Sequence, residues 1–197
     1  MKFQILIIIV LIALSFGCTE KNNNTITYTN YSDNQVSLSY PSHWKAQNYN
    51  GIQTFYEHAG FLESILSEDE IVEGLGIENS LVTPAMENTS NLTLDELEQR
   101  EKSSICKGDM VISSERIDFV SMNAVKIHVI EVLKYKRDCL SVNSKEEVDK
   151  QKPNAKLTII NVKKEGITYR ISYWIEIGKE DEYQPIMDKI LSSIVIK

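Results

Sequence analysis

Apolar and polar positions follow different rhythms along this chain, and each rhythm predicts an element. The first is a solid block. Phe3 to Phe16 is apolar except for Gln4 and Ser15, with Lys2 ahead of it. At about 1.5 Å per residue, a helix this long reaches ~21 Å, short of the ~30 Å hydrocarbon core of a bilayer. A positive start followed by a short apolar run predicts an export signal rather than a permanent span. Residues 19–34 are almost all polar, and such a composition buries too little surface to order itself. Residues 18–34 are therefore expected to be a tether.

The next rhythm has period two. Val36, Leu38 and Tyr40 alternate with Ser37 and Ser39, which predicts a half-buried strand over 35–40. Pro41 ends it, because proline has no donor for a ladder. Trp44 follows after a turn, placed to cover the end of a core. A second short strand is expected over 52–56. Residues 57–91 keep no rhythm: short apolar pieces at Ile71-Val72 and Leu81-Val82, each a strand candidate, lie among Glu68, Asp69, Glu70, Glu73 and Glu78.

Thr93-Leu94-Asp95-Glu96 then has the form of a capping box, with Thr93 as cap and Glu96 reaching back. Leu94, Leu97, Arg100, Glu101 and Ile105 carry a helical spacing to Cys106, and Gly108 supplies a stop. Strand material returns at 110–114 and 116–120, a turn is expected at 121–123, and a long strand at 124–135. Its alternation shifts phase between Val129 and Ile130, which marks a bulge or burial on both faces. Residues 139–153 are polar and predict a loop.

A hairpin follows, with strands over 157–162 and 167–177 around Lys164-Glu165-Gly166. Its second strand has the cleanest alternation in the chain. Ile167, Tyr169, Ile171, Tyr173, Ile175 and Ile177 share one face; Thr168, Arg170, Ser172 and Trp174 share the other. Tyr183, Ile186, Met187, Ile190, Leu191 and Ile194 keep helical spacing, with Pro185 in the first turn, where it is tolerated. A short strand at 194–196 ends the pattern. Hairpins flanked by helices predict an α+β fold with a mainly antiparallel sheet over 35–197.

Composition narrows the function. Against 28 acidic residues stand 21 basic ones, a net charge of −7. That argues against nucleic acid, which rewards clustered Lys and Arg through counterion release, and against electrostatic attraction to anionic lipid. Leu14-Ser15-Phe16-Gly17-Cys18 resembles a lipobox, cleaved before a cysteine that receives lipid. Gly17 supplies the small residue; Phe16 is bulkier than usual there, and the leucine stands one place further upstream than usual. On this reading residues 1–17 are a lipoprotein signal peptide. Cys18 carries the lipid, and two acyl chains hold the protein stably at the extracytoplasmic face of the cell membrane. An uncleaved signal anchor is the alternative, and both place residues 19 onward outside the membrane. Cys106 and Cys139 then form an even pair, a disulfide in an oxidising compartment or two separate thiols in a reducing one.

The candidate chemistry is sparse. Arg170 and Trp174, with His128 on a neighbouring strand, are the candidate binding surface, since Arg and Trp are enriched at interaction hot spots. The alternative is that a helix covers this face and Trp174 is core. The acidic run could serve a metal or small-ligand carrier, but it lacks the alternating oxygen ligands around a glycine that a calcium loop needs. There is no Cys-x-x-Cys or His-x-x-x-His, and His43, His58 and His128 lie far apart, so no metal site or cofactor is assigned. No Gly-x-Ser-x-Gly, phosphate-cradling loop or His-Glu-x-x-His is present either, which favours a non-enzymatic protein. Sequons at Asn30, Asn88 and Asn91 matter only in an organism that glycosylates exported chains.

Four short motifs together resemble the PsbP-like family. They are Tyr40-Pro41-Ser42-His43-Trp44 after a strand, Leu94-Asp95-Glu96-Leu97 opening a helix, Gly166-Ile167-Thr168-Tyr169-Arg170-Ile171-Ser172-Tyr173 in a late strand, and Ile190-Leu191-Ser192-Ser193-Ile194 at the end. With the lipobox, they are similar to small PsbP-related lipoproteins of prokaryotes, including methanogenic archaea. The resemblance implies an α/β/α sandwich around an antiparallel sheet. Family members in plants and cyanobacteria assist photosystem II near its manganese and calcium, but no residue here matches a metal-binding residue of the family. The expectation is a membrane-anchored binding or assembly-helper module with an envelope protein partner.

Overall fold

A computed structural model describes residues 25–49, 51–57, 74–105, 109–131 and 155–197. Seven strands form the large sheet: β3 (Lys45–Tyr49), β4 (Ile52–Tyr56), β5 (Gly74–Asn79), β6 (Met110–Phe119), β7 (Met122–Glu131), β8 (Ala155–Lys164) and β9 (Ile167–Glu176). Their order across the sheet is β3-β4-β5-β9-β8-β7-β6. A smaller sheet joins β1 (Tyr28–Ser32), β2 (Val36–Pro41) and β10 (Val195–Ile196), in the order β1-β2-β10. Every described pairing is antiparallel. The fold is α+β, with α1 (Leu94–Ser104) and α2 (Glu180–Ser193) against the large sheet.

Both faces of the large sheet are buried, by different means. On one face Ile77, Ile160, Ile171, Tyr173 and Ile175 meet Tyr183, Ile186, Met187 and Ile190 of α2, together with Val36, Leu38 and Ile196 of the small sheet. On the other, Val125, Ile127, Val129, Leu157 and Ile159 form a second cluster, edged by Leu94, Ile105 and Trp174. This explains β7: Ala124 belongs to the first cluster and Val125 to the second, so consecutive residues are both buried. At the phase shift itself Ile130 is half-buried, and Val132 lies outside the described residues. The bulge itself lies on β6, where the register slips between Val111 and Ser113, opposite Val129 and His128.

Several boundaries differ from the sequence reading. The tether does not extend to residue 34, because Tyr28–Ser32 forms β1 and pairs with β2. Tertiary contact orders it: the Tyr31 ring stands edge-on to Phe55 at 5.2 Å, and its hydroxyl donates to Asp33 and Gln53. Burial and the Asp33 carboxylate push that hydroxyl up to about 12. Leu81-Val82 is not a strand but an exposed turn after β5, and Lys45–Tyr49 adds an edge strand with no apolar alternation. The segments 110–114 and 116–120 are one strand, and the turn to β7 is at Val120-Ser121. Ile71-Val72, Gly108 and residues 132–154 lie outside the described residues, as do residues 1–24.

Two glycines sit at left-handed turns for different reasons. Gly51 has φ +84, and a Cβ there would stand 2.5 Å from the Val82 carbonyl oxygen. Gly166 has φ +83 with nothing near it. Gly166→Ala meets only the backbone penalty, of order 1 kcal/mol. Gly51→Ala meets that and a backbone clash, so its urea midpoint falls further than that of Gly166→Ala. Equal midpoints would show that the Gly51 turn relaxes freely.

Candidate binding faces of the large sheet

The three residues of the candidate surface do not share a face. Along paired strands, cross-strand partners point the same way. Arg170 pairs with Asn161 on β8 and Glu78 on β5, and Asn161 pairs with Val125. Trp174 pairs with Leu157, which pairs with Val129. Both therefore lie on the face that α1 covers. His128 pairs with Thr158, which pairs with Tyr173 in the cluster under α2. It belongs to the opposite face. Alternation on one strand gave the facing of Arg170 and Trp174, but the register of β7 against β8 was not legible from sequence, and that register sends His128 the other way.

Arg170 is a clamp, not an exposed hot spot. Its Nη1 donates to Glu78 Oε1 at 2.8 Å, and its Nε to Glu101 Oε1 at 2.8 Å. Burial works against its charge, but the Glu101 and Glu78 carboxylates outweigh this and raise its pKa further. Glu78, read from sequence as part of an acidic run, is thus a strand residue committed to an ion pair. Asn161 completes the cluster by donating to Glu101 at 3.3 Å. Its Oδ1 is buried with no partner among the described residues. An arginine at an inward position of a clear strand is itself the sequence signal for such partners, since a buried guanidinium requires carboxylates.

Helix α1 owes its seat to these charges. The capping box forms as read: Glu96 N–H donates to Thr93 Oγ1, and Thr93 N–H to Glu96 Oε2. Leu97 is the helix's one buried residue. Leu94 packs partly buried against the second cluster, and the other contacts are polar. Glu98 accepts from Ser114 at 2.6 Å and pairs with Lys102 at 2.5 Å and Arg116 at 3.0 Å; Arg116 also pairs with Asp95. The hydrogen bonds from Lys102 and Ser114 pull the Glu98 carboxyl down to about 2. Lys163 ties the preceding chain by donating to the Ser90 and Leu92 carbonyls. Trp174 stays partly open, its Nε1 donating to Glu131 at 2.9 Å.

His128 stands on a more open surface. Its Nδ1 is 3.0 Å from Thr158 Oγ1. Lys126 and Ile130 flank it along β7, and Ser113 faces it from β6. Partial burial, then the field of Lys126, lowers its pKa. Helix α2 packs on β9 and β2 rather than here. Lys156 on β8 pairs with Glu180 at 2.5 Å. Among the described residues this is a polar, half-open sheet face. Its hydrogen-bonding groups, His128 and Ser113 among them, can bind and orient a partner's polar groups.

The fold is PsbP-like. Cyanobacterial PsbP (CyanoP) from Synechocystis sp. PCC 6803 superposes with a TM-score of 0.54 at 13% identity, over 93% of this chain and 99% of that one. LpqN, involved in cell envelope biogenesis of Mycobacterium tuberculosis, gives 0.49 at 9% identity over 88% and 92%. The Ran-binding protein Mog1p of Saccharomyces cerevisiae gives 0.48 at 7% over 87% and 96%. These last two lie too far off to support any argument. No protein-family model and no curated protein matches the sequence. No group of three His, Cys, Asp or Glu among the described residues could hold a metal ion. Cys18, Cys106 and Cys139, and the acidic run 68–73, lie outside the described residues.

The clamp makes a quantitative prediction. Arg170→Met strands two largely shielded carboxylates and is expected to cost about 3 kcal/mol, the lower end for a broken buried pair, measured by urea unfolding. The triple replacement Arg170→Met, Glu78→Met, Glu101→Met is expected to recover most of that loss, and no recovery would mean the charges contribute more than they cost. A second prediction concerns acid. Because the Glu98 carboxyl is lowered, its contribution is complete above the ordinary value of 4.5 and is lost as pH falls toward about 2. Amide exchange in α1 should therefore rise over that window before exchange in β8 and β9, and simultaneous loss would contradict a separately latched helix.

Proposed function

We propose that this protein is a membrane-anchored, extracytoplasmic lipoprotein whose PsbP-like α/β/α sandwich serves as a non-enzymatic binding or assembly-helper module. The observation that carries the reading is the PsbP-like fold over 93% of the chain, joined to the lipobox ending at Cys18. Folds of this kind host binding functions on their faces, and the function belongs to the site rather than the fold. The half-open face around His128 replaces the Arg170–Trp174 face as the docking surface. Its cations Lys126 and Lys156 each have a carboxylate at hand, Glu115 at 4.0 Å and Glu180 at 2.5 Å. Such a face favours a polar, hydrogen-bonding partner, and an envelope protein is the partner proposed.

Two experiments test this. Metabolic labelling with a clickable fatty acid should mark the wild-type chain and leave Cys18→Ser unmarked and released from membranes; unchanged attachment of the variant would support an uncleaved anchor instead. Crosslinking in native membranes should recover a defined envelope protein, and His128→Glu with Lys126→Glu should abolish that recovery without lowering the melting temperature by more than a few degrees. Equal recovery from this variant would remove the His128 face from the proposal.

A further inference from the structure

The β6–β7 turn holds its residues in a conformation they disfavour. Val120 and Ser121 have φ of +55 and +61. Two-residue hairpin turns of this kind select Asn and Gly, and a β-branched residue there is strained. Core packing does not account for the valine, which is 38% exposed. Strain kept at an exposed position points to a use for that side chain. Val120 lines a groove of about 340 Å³ between this turn and the last turn of α2. Ile117, Phe119, Ile160, Leu191 and Ile194 make it apolar, and Lys126 and Ser192 add polar groups. Asp118 also borders it, but alternation along β6 turns its carboxylate toward the other face.

We propose that this groove binds a single acyl chain ending in a carboxylate, with the chain against Val120 and Leu191 and the carboxylate at Lys126. The floor is recessed, with Ile160 1% and Ile194 2% exposed, so a slender chain enters where a bilayer surface does not. Lys126 is the cation among the groove's lining residues. Its Nζ stands 4.0 Å from Glu115, at the limit of an ion pair, and an ammonium carries three donors. The groove is built from residues 117–194, so the inference stands whether or not Cys18 carries lipid.

The test uses the full chain in membranes, photolabelled with a diazirine-bearing dodecanoate or, separately, with a phosphatidylcholine bearing the same group. Dodecanoate label is expected within 117–126 and 191–194. Unlabelled dodecanoate should compete about tenfold better than dodecan-1-ol, as a charge-assisted contact implies. Val120→Gly relieves the turn and should raise the melting temperature, yet cut labelling roughly fivefold by removing apolar contact. Lys126→Gln should abolish the advantage of the acid over the alcohol. Label confined to other segments, undiminished label in a stabilised Val120→Gly, or equal groove labelling by the phospholipid would each overturn the proposal.

Discussion

Arg170 sits at the middle of the central strand, mostly shielded from water with a side chain 19% exposed, and a guanidinium in that position is tolerated only if carboxylates meet it. One comes from β5 and one from α1. Glu78 lies directly opposite Arg170 in the β5–β9 ladder, so the ion pair and the register specify each other: a slip by one residue would turn Glu78 to the apolar face. Glu101 fixes the height of α1 over the sheet in the same way. The net charge of the trio is −1, and the added hydrogen bond from Asn161 to Glu101 offsets part of that excess. Such a cluster adds little stability compared with a packed apolar one, but it rejects alternative registers strongly.

The two layers flanking the sheet are consequently unequal. α2 buries Tyr183, Ile186, Met187 and Ile190 and packs by apolar area, which neither salt nor mild acid weakens. α1 buries Leu97, rests Leu94 partly on the second cluster, and is otherwise held by carboxylates, cations and a serine. Polar seating of this kind lets α1 open locally below global unfolding. Beneath it is a second apolar cluster of Val125, Ile127, Val129, Leu157 and Ile159. The capping box matters more here than in a well-buried helix, since it supplies order that packing does not.

How far the sequence reveals this follows from where the physics is local. The β9 alternation, the capping box and the helical spacing of 183–194 depend on neighbours within a few residues, and each stands in the structure as read. β1 escaped because its order comes from Phe55 and Gln53, more than twenty positions away, and its own composition resembles a tether. The candidate site fared worse. Arg170 and Trp174 were placed on one face correctly, but their burial was set by α1. His128 was set apart from them by the β7–β8 register, which a single chain's periodicity does not encode.

That separation redirects the functional argument. A face largely covered by an ion-paired helix has less surface to offer, so the proposed recognition turns to what the helices leave open among the described residues: the polar surface around His128 and the groove at the far end of β7. The two adjoin through Lys126, which faces His128's side of the sheet and borders the groove. Val120 of the strained turn lines the groove. An apolar side chain held in a left-handed turn contributes nothing to the core and costs conformational energy, and the same residue exposes carbon to water. The exposure cost falls when something apolar lies against it, which offsets part of the backbone strain. The fold thus concentrates its unfavourable features, exposed apolar surface and backbone strain, at one place beside a loosely paired lysine. That coincidence, more than any single residue, argues that this end of the sheet is where the protein meets a ligand.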